Sequence, residues 1–203
     1  MAYDFTILKT NLEEKGYKVS VFSDKESAAA YLNQEINEKT VGMGGSVTLQ
    51  ELDVFSKLAT HNTVYWHAEK PEHMTVPETR LAASRAEIYI SSVNGISENG
   101  EIVNIDHTGN RVAAISYGPS KVYLVIGSNK VAPDYNSALY RARNIAAPLN
   151  AKRLNRNTPC AVNADKCYDC KSPDRICRNL SVLWTKPAGA EYEILLIEET
   201  LGY

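Results

Sequence analysis

The chain has 203 residues, 22 of them basic and 24 acidic, for a formal net charge of −2. Hydrophobic residues make up 44% and charged residues 23%, a globular balance that excludes a disordered or fibrous chain. Near-neutral charge argues against a nucleic-acid partner held on a basic surface, and the length suits one domain over residues 1–203.

Taken in chain order, the first 40 residues predict helix, strand, helix. Phe5, Leu8, Leu12 and Gly16 recur at helical spacing, and the glycine can cap the helix. Tyr17 to Phe22 alternates like a strand. Asp24 then suits an N-cap before an alanine-rich helix over Glu26 to Ile36. Thr40 to Met43 is a short strand running into Gly44, Gly45 and Ser46, and Ser46 can cap a helix over Val47 to Asp53. Thr63 to Trp66 and Glu87 to Ser91 are strands around a helix over Pro77 to Arg85.

Three turn signals follow, Asn94-Gly95, Asn99-Gly100 and Gly109-Asn110. With the β-like stretches Glu101 to Ile105 and Arg111 to Ser116, they predict a hairpin-rich insertion. The α/β pattern resumes with a strand over Lys121 to Ile126 and a helix over Asp134 to Ala147. A loop rich in Cys, Pro and Asp then runs from Pro159 to Arg178, and Leu180 to Trp184 and Tyr192 to Ile197 are closing strands. The alternation predicts an α/β fold with a parallel-rich sheet flanked by helices. The longest apolar run, Val122 to Ile126, is far short of the roughly 20 residues of a membrane span. No membrane partner is expected. The first residues lack the basic and apolar regions of a signal peptide, so a cytoplasmic, reducing setting is expected.

Three motifs could carry chemistry. The loop Val41-Gly42-Met43-Gly44-Gly45-Ser46-Val47-Thr48-Leu49 leads a strand through glycines into a helix, which suits an anion or phosphate. It matches neither the Walker A loop nor the dinucleotide fingerprint, and a tight turn that only glycine fits is the plain alternative. The turn Ser97-Glu98-Asn99-Gly100 offers a carboxylate that could act as nucleophile or base, or simply be a polar hairpin turn. Cys160, Cys167, Cys170 and Cys177 hold all four thiols of the chain within 18 residues. In a reducing compartment that clustering favours zinc or an iron–sulfur cluster; a redox disulfide or plain buried thiols stay open. His61, His67, His73 and His107 show no metal-binding spacing. Arg141, Arg143, Lys152 and Arg153 could favour an anionic ligand or form a solvated helix face.

On these motifs the chain resembles the LUD-domain family, named for lactate utilisation. The matching stretches are Val41 to Leu49, Ser92 to Asp106, Gly109 to Pro119 and Asn144 to Leu154. Thr158 to Cys177 resembles a branch of the family that carries a cysteine loop over 158–178. The resemblance implies the fold shared by sugar-phosphate isomerases and class I CoA-transferases (NagB/RpiA/CoA-transferase-like). It also implies an accessory or ligand-binding role in the use of lactate or a related organic acid, beside iron–sulfur oxidoreductase subunits. A small anionic metabolite would then bind among Gly44, Gly45, Ser46, Thr48, Asn94, Asn110 and Arg111. The Ser97–Gly100 turn is similar to the motif of class I CoA-transferases whose glutamate attacks the acyl-CoA carbonyl, which would make Glu98 catalytic. A third reading makes the cysteine loop a metal or redox module on an α/β scaffold. Asp53 departs from the family pattern, where an apolar or glycine residue is more usual. A homodimer is the expected assembly, since symmetric dimers are the commonest oligomers.

Overall fold

The computed structural model describes residues 3–163 and 165–203. Six parallel strands form the main sheet: β1 (Lys18–Phe22), β2 (Thr40–Met43), β3 (Thr63–Trp66), β4 (Ile88–Ser91), β7 (Lys121–Gly127) and β10 (Glu191–Ile197). Their order across the sheet is β1-β10-β7-β4-β2-β3. A smaller sheet of order β8-β5-β6-β9 is built from β5 (Gly95–Ser97), β6 (Ile102–Asp106), β8 (Val131–Ala132) and β9 (Asn179–Leu183). The expected parallel-rich α/β sheet is therefore present. Among the described residues no helix is long and apolar enough to cross a membrane.

The central strands are apolar on both faces, as parallel strands covered by helices must be. Along β7, Val122, Leu124 and Ile126 point to one core while Tyr123 and Val125 point to the other. Along β10, Ile194 and Leu196 alternate with Leu195 and Ile197 in the same way. The first core takes Leu8 and Leu12 from α1 (Thr6–Glu14), Ala83 from α5 (Val76–Ser84), and Ala114 and Ile115 from α6 (Asn110–Ser116). The second takes Ala28, Ala29 and Leu32 from α2 (Lys25–Glu35), Leu49 from α3 (Val47–Glu51), and Val54 and Leu58 from α4 (Val54–Leu58). The small sheet joins the first core through Ile96 and Ile102. Its Val103 faces Ala138 of α7 (Tyr135–Arg141) and Ala142 just beyond that helix.

Caps fix several of these helices where expected. Asp24 accepts from the Ser27 N–H at the start of α2, and Ser46 from the Leu49 N–H at the start of α3. Thr75 and Glu78 form a reciprocal capping box on α5. Asp53 separates α3 from α4 in the left-handed region, with φ of 52°. That conformation favours glycine, and aspartate is among the few other residues that adopt it readily, so Asp53 fits where an apolar residue would be strained.

Three expectations need correction. Arg111 to Ser116 is helix α6 and not a strand. The Asp106 carboxylate accepts the N–H groups of Arg111 and Val112 and so starts the helix, and Gly109 enters it at φ of 86°. The hairpin of β5 and β6 exists, but it is half of a four-stranded sheet completed by β8 and β9. Finally, the helix expected to stop at Ala147 runs on to Arg153. It passes from α7 through a π-helical segment, Ala142–Ala146, into α8 (Ala147–Arg153). Pro148 lacks an N–H and its ring crowds the carbonyl four residues back. The chain answers with a wider turn, in which the Ala147 N–H reaches the Ala142 carbonyl. One further short helix, α9 (Pro159–Asn163), opens the cysteine loop.

Candidate functional site

The carboxyl ends of parallel strands are where α/β sheets place ligands. Here the ends of β2, β3, β4 and β7 deliver Gly45, His67, Ser92 and Lys130 to the wall of a single cavity of about 210 Å³. That volume is below the roughly 300–1,000 Å³ of drug-sized sites, so the cavity suits a small metabolite. Asp106, Asn110 and Arg111 complete it from β6 and α6, Arg80 from α5, and Asn150, Arg153 and Arg156 from α8 and its exit.

The cavity is cationic. Arg80, Arg111, Lys130, Arg153 and Arg156 line it, against the single acidic side chain Asp106. Among the described residues none of the five stands within 4 Å of a carboxylate oxygen. Asp106 is occupied with backbone N–H groups of His107, Arg111 and Val112. The Nε atoms of Arg80 and Arg156 are buried and, among the described residues, have no hydrogen-bond partner. Buried donors of this kind are rare and costly unless a ligand or water completes them. His67 and His107 are both pushed below the usual imidazole range, chiefly by burial and then by the arginines Arg80 and Arg178 respectively. At neutral pH they add neutral imidazoles to the wall.

Arg111 and Lys130 have different roles. The Arg111 guanidinium is 8% exposed and fully engaged. It donates to the Ser92 carbonyl at 3.0 Å and to Asn104 Oδ1, Asn94 Oδ1 and the Ile105 carbonyl at 2.8 Å each. It braces the wall. Lys130, at the end of a 3₁₀ turn after β7, is 3% exposed and donates to Thr48 Oγ1 and Ser92 Oγ, both at 2.7 Å. Burial, with Arg141 and Arg111 nearby, brings its pKa down to about 7, against a small opposing pull from Glu51.

Of the residues expected to bind ligand, Gly45, Ser46, Thr48, Asn94, Asn110 and Arg111 line this cavity. Gly44 sits immediately behind it. Its N–H is bonded to the Ile90 carbonyl, and a Cβ there would come within 2.7 Å of Ser91 Oγ. The glycine loop thus permits close packing, while side-chain cations supply the charge. Glu98 stands apart, at the far end of β5 from Asn94, about 13 Å of extended chain away. Its carboxylate accepts from the Tyr3 hydroxyl at 2.7 Å, and its carbonyl from Asn11 Nδ2 at 2.7 Å. The Tyr3 hydroxyl is pushed up to about 12 by burial and by Glu98.

Cys160, Cys167, Cys170 and Cys177 all line a second, smaller cavity, whose wall includes Arg143 and Arg175. The two cavities share Ala147 and Ile176. Among the described residues no three His, Cys, Asp or Glu side chains are gathered as a single metal ion requires.

Sequence reasoning missed Lys130, Arg80 and Ser92. Lys130 did carry a signal, a basic residue just beyond the most apolar strand of the chain. Arg80, on an otherwise ordinary helix, carried none.

The family model for the LUD domain matches residues 6–197. The fold is similar to that of a DUF162 family protein from Deinococcus radiodurans, known from a crystal structure, with a TM-score of 0.52 and 11% identity over 94% of each chain. No curated protein matches the chain.

Proposed function

The chain belongs to the LUD-domain family, and from that premise we propose that it binds a small anionic metabolite in the cationic cavity, as an accessory or ligand-binding subunit in lactate or related organic-acid utilisation. The observation that carries this reading is the set of four arginines, Arg80, Arg111, Arg153 and Arg156, with no carboxylate partner among the described residues, two of them with buried, unpartnered Nε donors. A bound carboxylate or phosphate supplies the missing acceptors, and guanidinium groups match its geometry. The family adds the expectation of a small organic acid and of iron–sulfur oxidoreductase partners. A thermal-shift series with lactate, pyruvate, malate and inorganic phosphate tests the reading. Stabilisation that saturates, and that weakens in Arg80→Gln and Arg153→Gln, is the expected result. No response to any of these anions would overturn it.

A second reading concerns the four cysteines, because all of them face one small void. Four thiolates are a soft donor set that fits zinc or iron–sulfur chemistry. Cys160, Cys167, Cys170 and Cys177 would hold the group. An iron–sulfur cluster would supply an electron-transfer centre beside the anion cavity. Iron, sulfide and zinc analysis of anaerobically purified protein decides: iron with equal sulfide supports it, zinc alone makes the loop a structural clip, and neither removes the metal.

A further inference from the structure

Lys130 is the one amine in the cavity wall, and the anion reading leaves it unexplained. A lysine meant only to attract an anion works best charged and at the rim, where its flexible stem reaches the ligand. This one is sunk to 3% exposure, and among the described residues its Nζ donates to two hydroxyls alone. Among the described residues no carboxylate is within ion-pairing distance to hold its proton, and Arg111 and Arg141 lie close enough to repel one. Glu51 on α3 is the acidic group that opposes them. These are the conditions, burial and a neighbouring cation, that leave a lysine amine neutral and nucleophilic at neutral pH.

We infer that Lys130 forms an imine with the carbonyl carbon of an anionic aldehyde or ketone bound in the cavity. This deepens the anion-binding reading and rests on it, since the arginines hold the carboxylate or phosphate that aims the carbonyl. In the step, the Nζ lone pair adds to the carbonyl carbon and the oxygen takes a proton, giving a carbinolamine. The nitrogen then expels that oxygen as water, and the two protons that leave with it are those of the neutral amine. Atoms and electrons balance with no external oxidant or reductant. Ser92 Oγ and Thr48 Oγ1, each 2.7 Å from Nζ, are placed to relay the proton from nitrogen to oxygen. The geometry also explains the depth of the amine, since surface lysines compete poorly when water hydrolyses the imine.

Reductive trapping tests the inference. The full chain is incubated with cyanoborohydride and pyruvate, glyoxylate or glyceraldehyde 3-phosphate, and the adducts are mapped by mass spectrometry. One adduct per chain at Lys130 is expected, formed on the order of tenfold or more faster than at any exposed lysine. Inorganic phosphate should block it by competition. Trapping with the oxo acids alone identifies a carboxylate ligand, and trapping with the triose alone a phosphate ligand. Should an oxo acid stabilise the protein thermally yet leave Lys130 unlabelled, the imine falls and anion binding stands. If no probe stabilises or labels it, both fall. Lys130→Arg, checked for folding by circular dichroism, should lose the adduct.

Discussion

At the scale of the residue, Lys130 makes folding depend on pH. An unfolded lysine titrates near 10.4, whereas the folded one titrates at about 7. Between those values the unfolded chain holds a proton that the folded chain has released, so stability rises with pH. Urea unfolding from pH 7 to 8.5 should therefore be steeper in pH for the native protein than for Lys130→Met, by up to about 1.4 kcal/mol per pH unit. Parallel curves would show that the amine titrates normally. Arg111 calls for a different test, because it is a brace. Arg111→Ala strips the donor from four acceptors, three of them at 2.8 Å, and should cost about 3 kcal/mol or more in urea. Arg111→Lys cannot reproduce the planar fork and should recover only part of that loss.

At the scale of the element, Gly42 is the tightest glycine position among the described residues, where β2 passes under α5. A Cβ at Gly42 would lie 2.0 Å from the Ala83 carbonyl oxygen, so Gly42→Ala forces the helix off the sheet. A loss of about 3 kcal/mol is expected, read as a lowered urea midpoint with an unchanged slope. Most elements of this layer were legible beforehand, because apolar alternation and capping residues are local. The strand ending at Met43, the cap at Ser46 and the strand pair expected over Lys121 to Ile126 and Tyr192 to Ile197 are examples. What failed was set from a distance. Arg111-Val112-Ala113-Ala114 has no helical cap of its own and takes its start from Asp106. Pro148 reads in sequence as a helix boundary, and the wider turn before it lets the helix continue.

At the scale of the whole molecule, a net charge of −2 conceals how the charge is distributed. Four arginines meet in one cavity drawn from residues 45 to 203, so mutual repulsion destabilises the empty protein. Sulfate or phosphate should raise the melting temperature by several degrees over chloride at equal ionic strength, as a ligand selective for the folded state must. An equal response to all three salts would mean screening alone. The cavity was half legible for the same reason that it is cationic. The motifs Gly45-Ser46 and Asn110-Arg111 are contiguous, but the hydroxyls that hold Lys130 lie 82 and 38 positions away. No window along the chain contains that triad.

The widened turn at Ala142–Ala146 has a consequence for angular phase. In an uninterrupted α-helix Arg141 and Arg153, twelve positions apart, would point about 120° from one another. The wider turn absorbs one extra residue and reduces that to about 20°, which swings both guanidinium groups to one side. Arg141 can then tie the Asn94 and Asn129 carbonyls while Arg153 stands on the cavity wall. Converting this turn to ordinary α-helix at unchanged length would rotate Arg153 away by about 100°, whereas deleting one residue from it would leave the phase of Arg153 unchanged. The protein therefore sets the aim of that arginine with a one-residue offset, and the offset is maintained by Pro148.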